Sequence, residues 1–224
     1  ILRVLHSLFT KILHTGEVPD AWLCTLIVPI PKVDVPSGPE QFRPITLTQI
    51  LRRIFQIVLL RYINQLDAFK THKRQGGFKS GYSCFTHALT LHEYINQANP
   101  TDAPTHQIFL DIKKAYDSVR LDRLWRLLHN RRVPTQLINL LKNMYFGVTS
   151  RVTYQQVLSP KFVRKHGLTQ GDPIAPVLFN IYIDPLFDDL ERVDPNGFLG
   201  WVDDLALYNR NTQILQQYLN HAVV

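Results

Sequence analysis

Two cysteines, Cys24 and Cys84, are all that 224 residues contain, which excludes a disulfide-built scaffold and fits a reducing compartment. Long apolar runs are missing too. No stretch approaches the ~18 consecutive apolar residues that a membrane-spanning helix needs. The opening ILRVLHSLFTKIL is amphipathic, with Leu2, Leu5, Leu8, Phe9 and Ile12 on one face. Arg3, His6 and Lys11 interrupt it, so it does not read as a secretory signal. Internal repeats and low-complexity segments are absent. Acidic residues are in deficit, 18 against 25 Lys and Arg, for a net charge of +7. That balance favours a polyanionic partner without identifying one. What is present is a globular composition, 45% hydrophobic and 19% charged, with room for one large domain or two small ones. The chain opens on Ile1 and reads as an excised fragment.

HTGEVPDAWL reads as a turn-rich connection, CTLIVPIPKV as a proline-bounded strand ending at Lys32, and DVPSGPEQFRP as a loop. ITLTQILRRIFQIVLLRYINQLDAF carries Ile54, Ile57, Val58 and Tyr62 three or four apart, which is helical spacing. KRQGGFKSGYS is a basic, glycine-containing loop before a helix over 85–97, and QANPTDAPT is the best candidate linker. The chain thus divides into 1–100 and 101–224. In the second part HQIFLDI reads as a buried strand. Leu121, Leu124, Trp125 and Leu128 mark a helix, and Pro134 opens another through about Tyr145. TSRVTYQQ and KFVRKHGL read as a polar hairpin, PIAPVLFNIYIDPLFDDL as a helix entered through prolines, and GFLGWVDDLALY as a second hairpin. In the closing helix, Ile214, Leu215 and Leu219 are expected to leave an apolar stripe partly exposed.

The carboxylates carry the chemistry. Asp111 ends a strand, and Asp203 and Asp204 sit at the tip of a hairpin between apolar flanks. Hard oxygen ligands held by strands suit Mg²⁺. Two ions ~3.5–4 Å apart would clamp the attacking and leaving oxygens of a phosphoryl transfer. They would also compensate two adjacent like charges. The plainer reading of Asp203-Asp204 is a turn dipeptide, since Asp favours turns. Asp117 and Asp172 read as turn or cap residues. Cys84, His87 and His92, with His72 upstream, match no strong zinc-ligand spacing.

FLDIKKAYDSV, HGLTQGDPIAPVLFN and GFLGWVDDLALY resemble, in order and approximate spacing, the three palm motifs of reverse transcriptases. The likeness is closest to non-LTR (LINE-type) retrotransposon enzymes and more distant to group II intron enzymes. GEVPDAWLCTLIVPIPK, FRPITLTQILRRIF and QGGFKSGYSCFTHAL resemble the fingers segments of the same family, so the resemblance covers nearly the whole chain. It implies an α+β right-hand polymerase fold, with fingers over 1–100, a palm of antiparallel strands backed by helices over 101–224, and no thumb.

The resemblance also assigns residues. Asp111 and Asp203 match the metal-binding aspartates, Asp204 their less directly engaged neighbour, and the carbonyl of Ile112 faces a metal. Tyr116 matches the aromatic steric gate against a ribose 2′-hydroxyl. Lys114 and Ala115 offer backbone N–H groups to the triphosphate. Gln170 and Gly171 match the loop that packs on nucleotide and template, and Lys32 and Arg43 the cations that hold the triphosphate. Read singly, Tyr116 would be a core aromatic, Gln170-Gly171 a turn into a helix, and Lys32 and Arg43 surface cations. Trp201 and Val202 depart from the family, which has Tyr or Phe and then Ala before the aspartates.

The expected function is RNA-directed DNA polymerisation with two Mg²⁺ ions, Mn²⁺ being the alternative. The partners would be an RNA template, a DNA primer and deoxynucleoside triphosphates, with no membrane. The location would be intracellular, and nuclear for a eukaryotic non-LTR element. A catalytically inactive relative that binds RNA or protein stays open, as does a two-metal nuclease, in which the gate tyrosine and fingers cations have no evident role.

Overall fold

The computed structural model describes residues 1–97 and 103–222, so most of the expected linker, 97–105, lies outside the described residues. In chain order the helices are α1 (Leu2–Thr15), α2 (Ile50–Ile63), α3 (Cys84–Asn96), α4 (Ala115–Ser118), α5 (Leu121–Asn130), α6 (Thr135–Tyr145), α7 (Ala175–Val193) and α8 (Thr212–Ala222). The strands are β1 (Cys24–Pro31), β2 (Phe42–Leu47), β3 (His106–Asp111), β4 (Thr149–Tyr154), β5 (Val157–Leu158), β6 (Phe162–Val163), β7 (Phe198–Trp201) and β8 (Asp204–Asn209). This is the expected mixture of helix and sheet. Among the described residues no helix is long and apolar enough to cross a membrane. The chain divides into two compact units, Ile1–Phe69 with Tyr116–Ala175, and Lys70–Ala115 with Pro176–Val224.

The first unit is organised by a sheet of order β2-β1-β4-β5, with β6 also paired to β4. Thr25, Ile27, Val28 and Ile30 give β1 its strand preference. Its prolines are tolerated by register. Pro29 stands opposite Pro44 in the antiparallel β1–β2 ladder, and Lys32 N–H donates to Gln41 O at 2.8 Å. Counting back from that hydrogen-bonded pair, Pro29 and Pro44 form a pair whose N positions point away from each other, so no ladder bond is lost. β4 flanks the other edge of β1, in parallel, over Cys24–Ile27 only. That edge is therefore not called on at Pro29.

Three sequence readings change here. Phe42–Leu47 is a strand, not the end of a loop and the start of a helix. β4 turns directly into a short partner, β5, through Gln155 and Gln156, both in the left-handed region at φ 47° and 66°. That is the geometry of a tight hairpin turn. β6 pairs with β4 as expected, at Thr149↔Val163 and Ser150↔Phe162. In α2 the helical period is right but the face is not. Ile54, Ile57, Val58 and Tyr62 are exposed, while Arg52, Phe55, Gln56, Leu59 and Ile63 are buried. Phe55 packs with Phe9 and Trp22, ring centroids 5.2 and 5.5 Å away. In the same unit Leu124 and Leu128 of α5 and Leu137, Leu140, Leu141 and Met144 of α6 are all buried. Each such side chain contributes roughly 1.5–3 kcal/mol by leaving water.

The second unit holds an antiparallel sheet of order β3-β8-β7. Phe187 of α7 lies so close to β7 that a Cβ on Gly200 would meet its ring at 2.3 Å. Phe198 packs against Phe187 and Tyr218, ring centroids 6.0 Å away in both cases. α8 returns across the sheet with Leu215 and Tyr218 buried, and the Tyr218 hydroxyl donates to Asp194 O at 2.6 Å. Of the stripe expected on α8 to be partly exposed, Leu215 is buried, while Ile214 and Leu219 are half-buried. Ser83 and Thr86 form a reciprocal cap at the start of α3, where the sequence reading placed a helix.

Candidate active site

Antiparallel pairing decides where the aspartates go. β3 and β8 run in the register Phe109↔Ala206, Leu110↔Leu205 and Asp111↔Asp204. Directly opposed residues point to the same face of a sheet, so Asp111 and Asp204 are set side by side, both exposed. Trp201 also pairs with Asp204, which leaves Val202 and Asp203 as the two-residue tip of the β7–β8 hairpin. The Asp203 carbonyl accepts a hydrogen bond from Ile112 N–H at 3.2 Å. The tip is thereby tied to the residue that follows Asp111. Burial pushes the Asp203 carboxyl up, and the Asp204 and Asp111 carboxylates push it further. Asp111 and Asp204 thus share one face of the sheet, with Asp203 on the adjoining tip.

The other side of the tip is held by a side chain that the sequence reading left inside a basic loop. Gln75 is fully buried. Its Oε1 accepts from Val202 N–H at 2.8 Å and from Gly77 N–H at 3.0 Å, and its Nε2 donates to Val202 O at 3.1 Å. Val202 has φ 61°. Two-residue hairpins with a left-handed first position ordinarily place glycine there, and a β-branched residue in that region carries strain of order 1–3 kcal/mol. The only advance signal was the glycine pair beside Gln75 and the bulk of Val202.

The donor set fits divalent ions. Among the described residues no group of three or more His, Cys, Asp or Glu is placed to hold one ion. Mg²⁺ does not require such a group. It is ordinarily held by one or two carboxylates, with water and substrate phosphate completing its octahedron. Asp111, Asp203 and Asp204 supply hard anionic oxygens of the kind Mg²⁺ takes.

Ile112, Lys114 and Ala115 belong to the same unit as the aspartates. Lys114 has φ 51°, which turns the chain sharply from β3 into α4, and Ala115 is buried. The remaining candidates, Lys32, Arg43, Tyr116, Gln170 and Gly171, belong to the first unit. Arg43 is paired with Ile30, and Lys32 lies two residues beyond Ile30, so both exposed cations project from one face of the β1–β2 hairpin. Lys32 Nζ donates to Glu40 O at 3.2 Å. Tyr116 is half-buried, and its carbonyl accepts from Leu168 N–H at 2.7 Å.

Gln170 and Gly171 sit in a loop held from beneath. Thr46 N–H of β2 donates to Gln170 O at 2.8 Å. Gly171 has φ 116°, and a Cβ there would meet Thr46 O at 2.7 Å. Gly171→Ala is therefore expected to destabilise the fold by roughly 1–3 kcal/mol, measured by denaturant unfolding. The next residue corrects the sequence reading. Asp172 does serve the turn, its carbonyl accepting from Ala175 N–H at 3.1 Å. Its carboxylate, however, is buried against Arg52 of α2 at 2.6 Å, with both side chains fully enclosed. Arg52 also donates to Trp22 O at 2.7 Å.

Residues 30–223 match the family described as reverse transcriptase (RNA-dependent DNA polymerase). The chain belongs to this family. Among similar proteins, the retrovirus-related Pol polyprotein of the type-1 retrotransposable element R2 from Nasonia vitripennis is 27% identical over 96% of this chain. That of the type-2 element R2DM from Drosophila melanogaster is 26% identical over 97%. A putative COX1/OXI3 intron 2 protein of Saccharomyces cerevisiae is 24% identical over 76% of the chain. The resemblance to non-LTR and intron-encoded enzymes is thus borne out. The chain spans only 21% of each of the two R2 polyproteins. Among solved structures, apo telomerase from Candida tropicalis, truncated from its C-terminal domain, superposes with a TM-score of 0.66 at 15% identity, over 92% of this chain and 47% of that one. This agrees with the expected right-hand polymerase fold.

Proposed function

We propose that the chain is the fingers-and-palm part of an RNA-directed DNA polymerase. In this reading residues 1–100 carry the fingers and 101–224 the palm. A primer 3′-hydroxyl attacks the α-phosphorus of a deoxynucleoside triphosphate on an RNA template, and pyrophosphate leaves. The observation that carries the proposal is the register Asp111↔Asp204, with Asp203 on the adjoining tip.

Asp111, Asp203 and the Ile112 carbonyl would hold two Mg²⁺ ions, and Asp204 would assist. When bound, the ions compensate charge on the attacking and leaving oxygens. The chain's own contribution is position. β3 and β8 fix two carboxylates by backbone pairing, and the Ile112–Asp203 hydrogen bond fixes the third residue. Rigid placement of this kind is the larger part of catalysis in phosphoryl transfer. Lys32 and Arg43 are assigned to the triphosphate, Lys as a point charge and Arg as a bidentate fork. Lys114 and Ala115 are assigned to it through their backbone N–H groups, and Gln170 and Gly171 to nucleotide and template. The net charge of +7 suits template and primer phosphates.

Primer extension on an RNA template by the full-length protein, with Mg²⁺ and with deoxy- or ribonucleotides in parallel, tests the reading. Template-dependent deoxynucleotide addition is expected. Retained RNA binding without any extension would instead favour a catalytically inactive RNA-binding relative. In the same assay Tyr116→Ala is expected to raise ribonucleotide incorporation at least tenfold relative to deoxynucleotides, because it empties space beside C2′. Unchanged discrimination would remove Tyr116 from the gate.

A further inference from the structure

We propose that Gln75 is a positioning residue for the Asp203 carboxylate. It grips the peptide groups on both sides of Val202 and so sets the direction in which Asp203 leaves the hairpin tip. The inference rests on the reading of Asp203 as a metal-holding residue.

Gln75 engages one residue twice, through Val202 N–H and Val202 O, and that residue immediately precedes Asp203. A side-chain amide has limited hydrogen-bonding capacity. Here three of its bonds serve the tip and its own loop, and the group is fully buried. The loop is anchored in turn. Gly76 N–H donates to Gly200 O, and Gly200 N–H to Arg74 O, both at 2.9 Å. Asn180 Nδ2 of α7 donates to Gly77 O at 2.8 Å. A Cβ on Gly77 would meet Val202 Cγ2 at 2.3 Å, so the two glycines are what let the loop reach the tip.

The tip therefore lies between two clamps, Gln75 on Val202 and Ile112 on the Asp203 carbonyl. Val202 needs the first clamp. At φ 61° a β-branched residue departs from its preferred conformation unless its surroundings hold it there. Without Gln75, relaxation of Val202 would rotate the following residue and carry the Asp203 carboxylate away from Asp111. A purely architectural glutamine would stabilise the loop without this dependence on the residue at 202.

The test uses the full-length protein with Gln75→Ala, the near-isosteric Gln75→Glu, Asp203→Asn, and Gln75→Ala combined with Val202→Gly. Both Gln75 variants are expected to lower kcat for deoxynucleotide addition by roughly 10–100-fold, since about 1 Å of misplacement costs that much. They should also raise the Mg²⁺ concentration for half-maximal rate, while template–primer affinity stays unchanged. Adding Val202→Gly to Gln75→Ala should restore most of the rate, because glycine adopts the left-handed tip unaided. Independently of activity, amide exchange in the peptide covering residue 202 should accelerate in Gln75→Ala. Equal losses with and without Val202→Gly overturn the proposal, as does a kcat near wild type in both Gln75 variants. Loss in Asp203→Asn alone overturns it while leaving the metal reading in place. Activity in Asp203→Asn removes the metal reading itself, and the positioning role with it.

Discussion

Asp111→Asn and Asp203→Asn are each expected to lower primer extension by the full-length protein on the order of a thousandfold or more. RNA binding and thermal stability should change little. Each substitution removes an anionic oxygen aimed at a metal but almost no packing, since Asp111 is exposed and Asp203 half-exposed at the hairpin tip. Asp204→Asn should be milder and should respond to the choice of Mg²⁺ or Mn²⁺. The measurement is single-turnover extension over a metal titration, with RNA binding recorded in parallel. Near-normal extension by Asp111→Asn would sink the polymerase reading, because no other described carboxylate stands opposite Asp204 in the sheet.

The largest loss of stability is expected in the first unit, from Arg52→Met. That change strands the Asp172 carboxylate, whose side chain is fully enclosed, and leaves Trp22 O without its guanidinium donor. Breaking one partner of such a pair costs about 3–5 kcal/mol. This is a large share of the ~5–15 kcal/mol by which domains are stable. Replacing both partners, as in Arg52→Met with Asp172→Leu, should recover much of the deficit, because desolvating the two charges opposes folding in the first place. Denaturant unfolding of the three proteins measures the cycle. A single Arg52→Met variant within about 1 kcal/mol of wild type would show that the pair contributes no more than an exposed one. Because Asp172 follows Gln170 and Gly171 in the same loop, Arg52→Met should also weaken nucleotide use more than its loss of stability alone implies.

What the sequence made legible was local. Leu124 and Leu128, four apart, marked the buried face of α5, and Asp111, Asp203 and Asp204 stood out as charges at the ends of apolar segments. β2 was hidden because FRPITL runs directly into TQILRRIF, and a strand with a proline in it looks like the approach to a helix. Its pairing with β1 shows why the proline is harmless, but register is a property of two segments. The buried face of α2 was misread for a related reason. It carries Arg52 and Gln56, and a charged residue enters a core only when a partner waits there. That partner, Asp172, is 120 residues away. Gln75 had no local mark beyond the glycine pair beside it, because an amide reveals its role only by what it grips.

Asp111 and Asp204 face each other across two strands of the sheet. Like charges in that position oppose pairing by a few tenths to about 1 kcal/mol. The fold would be steadier with almost any neutral residue at either place. The opposed acids are a standing cost to the sheet, one that a bound divalent cation would offset.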